Sequence, residues 1–349
     1  MTVLRPGVAL PSGLIVLVAL VVCAVVAPQA AAAGWLVGFV FWMQVLAGSL
    51  CLMMIHRLTS GDWGDIIAPV TGRAAAAVPF LILLIIPLFV AIPALYPWAQ
   101  HPSSVKPDVL SAYLNQPTFI LRSLVTLAGW SVLAFVLPRM VGARGQLWAA
   151  IGLVFYAVTI SGVSIDWYLS VEAPFTSSSF GASVAISSLV AALSWAAVWM
   201  PAAEGDPAIG DVGALLLATV LGLTYIDFMA VLVIWYGDLP REEIWFATRG
   251  ASPWMALGII AFILASLFPT VTLIQSRFRN HRQPLRHVGA VTLAGLAVYD
   301  AYLVAAPFGV AALGTGLLAV VGIGLVLLSL TAFLPGNFVR PSREAIDAR

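Results

Sequence analysis

IDWYLSVEAPF, residues 165–175, closes an otherwise apolar run with two carboxylates, Asp166 and Glu172. Far downstream, YDAYLVAAPF at 299–308 nearly repeats it. Both copies read Asp, any residue, Tyr-Leu, a short apolar stretch and Ala-Pro-Phe, the second one residue shorter. Each copy ends a hydrophobic segment and sets an acid close to lipid depth. An ionisable side chain there costs about 2.5–3.5 kcal/mol on insertion scales, which makes each acid a candidate for function. What lies between the copies decides the architecture.

The chain is 62% hydrophobic and only 9% charged over 349 residues. A soluble domain carries about 25% charged residues, so this is a polytopic membrane protein. Ten apolar runs are long enough to span a bilayer: roughly 8–27, 34–56, 75–98, 117–138, 147–170, 177–200, 211–236, 252–275, 287–306 and 311–334. The first has a rival reading, because Arg5, the apolar core 14–27 and QAAAAG resemble a signal peptide; the reading carried forward is a retained helix. Pro79, Pro87 and Pro93 are expected to kink the third helix.

Charge sets the orientation. With ten helices, twelve of the sixteen Lys and Arg residues gather on one side, among them Arg57, Arg73, Arg139, Arg144 and the run RFRNHRQPLRH at 277–287. The other side holds Lys106, Arg241 and Arg249, and Arg122 lies inside helix 4. Basic loops stay in the cytoplasm, so both termini are expected there. Trp35, Trp98, Trp148, Trp167, Trp199, Trp235 and Trp254 fall near helix ends, where indoles favour the interface. Helices 5 and 9 then run the same way, and the two motif copies end at the same outer face. The expected fold is all-α: about ten transmembrane helices, two parallel four-helix bundles (helices 2–5 and 6–9) and two flanking helices. The chain divides into 1–33, 34–176, 177–307 and 308–349.

Composition also excludes chemistry. A net charge of +1 with a single lysine, Lys106, gives no reason to expect nucleic acid. Cys23 and Cys51 form no CxxC or CxxCH, so neither covalent haem nor zinc is supported. Of the four histidines only His56 lies near a membrane segment, which argues against a haem held by two facing histidines.

Five ionisable residues sit at or near membrane depth: Arg122, Asp166, Glu172, Asp227 and Asp300, with Tyr299 and Tyr302 beside the last. One reading is a set of carboxylates exchanging protons through hydroxyls and water towards the outer face. The plainer reading is that Arg122 neutralises an acid and holds helices together. The two are compatible. Asp227 and Asp300 read as deeper than Asp166 and are the better proton carriers. His56, next to Arg57, reads as a solvated interfacial residue, with proton uptake at the cytoplasmic end as the alternative. The serine stripe Ser183, Ser187 and Ser194 reads as close helix packing. The outer loops 99–116 and 237–251, rich in Pro, aromatic and charged residues, could seat a partner.

Several stretches together resemble a known family: GWLVGFVFWMQVLAGSLCLMMIHRLTSGDWG (34–64), LYPWA (95–99), YLNQPTFILRS (113–123), IDWYLSVEAPF, IWYGDLPREEIWF (234–246) and YDAYLVAAP (299–307). They are similar to the F-type membrane subunit of bacterial alternative complex III, one of the NrfD/polysulfide-reductase-like membrane proteins. The resemblance covers about 34–307. It implies ten helices in two bundles, and an integral-membrane subunit of a quinol:cytochrome c (or other acceptor) oxidoreductase in the bacterial cytoplasmic membrane. The expected partners are a paralogous quinol-binding membrane subunit, an iron–sulfur subunit, multihaem cytochrome c subunits and a terminal oxidase. Iron–sulfur and haem c groups are expected only in those partners. This chain is expected to scaffold the complex and to supply a proton path or a quinone contact, and not to be catalytic alone. A solitary proton-coupled secondary transporter and a purely structural anchor are the alternatives.

Overall fold

Apolar runs of this length solve their backbone hydrogen bonding internally, and helix is the form that does so in lipid. The computed structural model describes residues 6–104, 106–172, 175–238 and 240–333. Arg5, Ala173 and Pro174 of the motif, and Arg340, Arg343 and Arg349 lie outside the described residues, as does the rest of 334–349. Among the described residues there is no strand.

Among the described residues, ten helical stretches are long and apolar enough to cross a membrane: span 1 (Val8–Val26), span 2 (Pro28–Thr59), span 3 (Asp62–Val90), span 4 (Gln116–Arg139), span 5 (Gly142–Val171), span 6 (Phe180–Trp199), span 7 (Ala208–Gly237), span 8 (Trp254–Leu273), span 9 (Arg282–Val304) and span 10 (Ala311–Thr331). The protein is an all-α polytopic membrane protein.

Of the boundaries that differ from the sequence reading, two have a clear physical reason. QAAAAG is not a connecting segment: helix resumes at Pro28 after Ala27 alone, and Ala30, Ala31 and Ala33 are buried. Span 3 begins at Asp62, thirteen residues early, because Pro69 is accommodated inside the helix Asp62–Ala76. Beyond it the chain breaks into short helical pieces, Val78–Phe80, Leu81–Leu84, Ile86–Val90, Ile92–Leu95 and Pro97–Gln100, four of which carry a proline in their first two positions. Proline lacks the N–H for the preceding turn and is preset for a new helical start.

Span 2 is the hub. At 32 residues it is about 48 Å long at 1.5 Å per residue, well beyond a hydrocarbon core of about 30 Å. Its side chains are buried almost without interruption from Gly34 to Leu52, the signature of a helix apolar on every face. Spans 2 to 5 close a ring: 2 packs on 3, 3 on 4, 4 on 5 and 5 on 2. Spans 6 to 9 close a second ring in the same order. The rings meet where span 2 packs on spans 6 and 9, and span 5 on span 6. Spans 1 and 10 pack on each other and on span 2. At the ring junction a Cβ on Gly48 would stand 2.0 Å from the carbonyl oxygen of Ser188, so the two backbones touch there. Trp42 Nε1 ties span 2 to span 10 by donating to Val320 O at 2.8 Å.

The expected aromatic belt is only partly a belt. Trp235 is 79% exposed, but Trp98, Trp167 and Trp254 are buried. Trp167 packs edge-on to Phe39 and donates to Ser123 Oγ at 3.0 Å. A polar indole edge at a helix end serves a neighbouring hydroxyl as well as it serves an interface.

Candidate functional site

The motif at 165–175 is not continued helix. Span 5 runs as α-helix to Val163, widens into a π-helical turn over Ser164–Tyr168 and tightens into a 3₁₀ turn over Leu169–Val171. An extra residue per turn, as in a π-helix, lets three consecutive side chains face inward, and Asp166, Trp167 and Tyr168 are all buried. Each goes to a different partner. Ser170 Oγ donates to the Asp166 carbonyl at 2.6 Å.

Asp166 forms a two-pronged ion pair with Arg122: Nε donates to Oδ2 at 2.9 Å and Nη2 to Oδ1 at 2.8 Å. Arg122 Nη1 also donates to Tyr113 O at 2.9 Å, and the guanidinium lies 3.7 Å from the centre of the Tyr113 ring. Burial, reinforced by the Asp166 charge, pushes the Tyr113 phenol up to about 12. Tyr96 is pushed up by the same two causes in the same order. Both stay neutral hydroxyls beside the ion pair.

Glu172 has a partner of its own, Arg249, at the end of the short helix Pro240–Arg249. Arg249 is buried, with its guanidinium 3.7 Å from the centre of the Trp245 ring. Nη1 and Nη2 donate to the two carboxylate oxygens of Glu172. The remaining N–H groups go to the carbonyls of Trp245 (3.2 Å), Tyr302 (3.3 Å) and Leu303 (3.0 Å). Tyr302 therefore belongs with this cluster by its backbone and not with Asp300. Its ring lines a cavity of about 330 Å³ with Phe246, Met255, Gly258, Ile259 and Phe262.

Asp227 and Asp300 are different in kind. Asp227, partly buried, accepts from Ser183 Oγ at 2.6 Å and Tyr299 OH at 2.9 Å. Asp300 is fully buried and accepts from Gln44 Nε2 at 2.8 Å, with Tyr168 OH at 3.4 Å. Gln44 Nε2 also reaches Tyr168 OH at 2.8 Å. Oε1 of Gln44 and Oδ2 of Asp300 are buried with no hydrogen-bond partner. Among the described residues, no basic side chain ion-pairs with either acid. Tyr299 and Asp300 are neighbours on span 9, so the two acids sit in clusters joined by one step of chain.

Asp227, ten residues from the end of span 7, is the deep acid that the sequence suggested, but depth does not separate Asp300 from Asp166. Asp166 lies five residues from the end of span 5 and Asp300 four from the end of span 9. What separates them is the partner: an arginine for Asp166, neutral groups for Asp300. His56 is far from all of them, at the other end of span 2. Its Nε2 is 2.9 Å from Gly61 O and 3.9 Å from Asp65, and its ring packs edge-on to Trp63, so it braces the turn between spans 2 and 3.

Sequence reasoning missed Gln44, Tyr168 and the pairing role of Arg249, and assigned Ser183 to packing alone. Tyr168 stood inside the motif and was legible as the counterpart of Tyr302; Gln44, one amide in an apolar run, gave the clearest unused signal. Among the described residues, no group of three or more His, Cys, Asp or Glu side chains comes together to hold a metal ion. Neither a protein-family model nor a curated protein matches this chain.

Proposed function

We propose that this chain is an integral-membrane subunit of a quinol-oxidising assembly of alternative-complex-III type, acting as scaffold and proton path. The observation that carries the proposal is the Asp227–Tyr299 and Asp300–Tyr168–Gln44 pair of clusters. Two carboxyl groups at membrane depth are supplied with hydroxyl and amide partners but with no cation. A purely structural acid is cheaper when paired, as Asp166 and Glu172 are. Carboxyls joined by tyrosines are suited to taking up and releasing protons.

On this reading, electrons pass through iron–sulfur and multihaem cytochrome c partner subunits, and a paralogous membrane subunit holds the main quinol site. The aromatic cavity beside Tyr302 is the surface where a quinone ring would contact this chain. The arginine-rich face is cytoplasmic in a bacterial inner membrane, which sets the motif ends and the loops that would seat the partners on the outer side. The helical loop segments Pro107–Ala112 and Pro240–Arg249 are the docking elements of this proposal.

Gentle purification from native membranes, followed by identification of companions, tests it. Co-purification of an iron–sulfur protein and a multihaem cytochrome c is expected. Isolation as a stable lone chain sinks the assembly reading and favours a solitary transporter.

A further inference from the structure

We propose that Asp300 is a single-proton binding site and that Gln44 is its swivel, presenting an amide N–H to the empty site and its carbonyl oxygen to the proton-filled one. The inference rests on the proton-path half of the reading above and is independent of the assembly half.

Counting donors and acceptors leads there. With Asp300 ionised, the cluster of Gln44, Tyr168 and Asp300 contains three donor hydrogens, two on the amide and one on the phenol. Gln44 Nε2 spends both of its hydrogens, one on Tyr168 OH and one on Asp300 Oδ1. Gln44 Oε1 and Asp300 Oδ2 remain as buried acceptors without donors, and a negative charge is held without a cation. Both features are costly away from water.

Adding one proton changes the count. The positions of the amide nitrogen and oxygen exchange on a half-turn of the side-chain amide, and the heavy-atom positions are compatible with either assignment. After the half-turn, Oε1 stands 2.8 Å from Tyr168 OH and 2.8 Å from Asp300 Oδ1, where Nε2 stood. The phenol and the newly formed Oδ1–H then both donate to Gln44 Oε1. The charge is gone, although the amide N–H groups lose their acceptors. Neutralising a buried carboxylate outweighs an unpaired neutral amide. The step is one proton taken from water, one O–H bond formed on Asp300 and no bond changed on Gln44. A glutamine suits the position because it is neutral and offers a donor end and an acceptor end. Glutamate would add a second charge, and leucine would offer neither.

The surroundings keep the site to a single proton. The groups facing Asp300 are Gln44 on span 2 and Tyr168 on the π-helical turn of span 5. Beside it on its own helix, Tyr299 leads to Asp227 on span 7 and Ser183 on span 6. None of these is a cation.

The test is infrared difference spectroscopy, parent against variant, of the protein as gently purified from native membranes with whatever accompanies it, at neutral pH, following the C=O stretch of a protonated carboxyl group. The parent should show such a band, and Asp300→Asn, a near-isosteric change, should abolish it. Gln44→Met removes the acceptor, so the band should move to higher wavenumber. Tyr168→Phe removes the competing donor to Gln44 Oε1, so the band should move to lower wavenumber. The opposite signs are the signature of a shared acceptor, and Tyr168→Phe alone suffices should Gln44→Met fail to fold. A parent without an Asp300-dependent band overturns the proposal, as does a band unmoved by the folded variants or moved the same way by both. The band is identified by its dependence on Asp300 whatever co-purifies, so these outcomes are distinguishable from the search for partner subunits.

Discussion

Replacing Arg249 with methionine should cost about 3 kcal/mol of stability, and the structure shows where that comes from. Arg249 is buried and uses all five of its N–H groups. Two acceptors, the carbonyls of Tyr302 and Leu303, belong to the last turn of the helix Arg282–Val304, where carbonyls have no intrahelical donor. A cation at that end also opposes the negative pole of the helix dipole. Removing one member of a buried ion pair costs about 3–5 kcal/mol. The Glu172 side chain is 23% exposed, so water recovers part of that, and the lower end of the range applies. Methionine keeps the aliphatic contact with Trp245 and loses the attraction of a cation for the ring. Lysine offers three donors in place of five and no planar fork, so Arg249→Lys should recover about half of the loss. Unfolding in mixed micelles titrated with dodecyl sulfate, read by maleimide labelling of Cys51, measures this, because Cys51 is 5% exposed in the fold. A methionine variant within about 0.5 kcal/mol of the parent, the range of an ordinary surface change, would refute the reasoning. Arg249 would then be a surface loop arginine that happens to be covered.

Two further outcomes follow from packing and topology. Gly48→Ala should destabilise by about 1–3 kcal/mol through overpacking, because its Cβ would meet the Ser188 carbonyl at 2.0 Å. Gly162→Ala, where nothing lies within 4 Å of the new Cβ, should be neutral or stabilising by up to about 1 kcal/mol from helix propensity; thermal unfolding of the pair decides. Single cysteines at Asp62 and Asp108, both exposed and separated by span 3, should label from opposite sides of sealed vesicles in a chain lacking Cys23 and Cys51. Labelling from one side contradicts the ten-span topology.

The fold was legible because it rests on run length: twenty apolar residues cannot do otherwise than cross or bury, and each of the ten spans overlaps one of the ten apolar runs, span 3 over 75–90 alone. The ends were harder. Pro28 at a helix start and Pro69 inside a helix look alike in sequence, and only packing decides between them. The site was legible as a set of acids and not as a set of pairs. Glu172 finds Arg249 across 77 positions and Asp300 finds Gln44 across 256, and no periodicity encodes such separations. The sequence drew attention to IDWYLSVEAPF, whereas the molecule is organised round span 2. The clue lay in the latter's composition: apolar on every face, with Gly34, Gly38 and Gly48 at contact points, it could only be a central helix. Its one buried glutamine was then the residue to ask about. The π-helical turn that turns Asp166, Trp167 and Tyr168 inward together left no mark in the sequence at all.

The account stands or falls on whether the uncompensated acids carry protons. The direct measurement is the number of protons moved per quinol oxidised in native membrane vesicles, for the parent, Asp300→Asn and Asp227→Asn. Both variants remove ionisation while keeping shape and hydrogen-bonding capacity. The account predicts that assembly is retained and that coupled proton movement falls severalfold in each. Unaltered quinol oxidation together with unaltered proton movement in both variants would contradict it and leave the chain a membrane anchor.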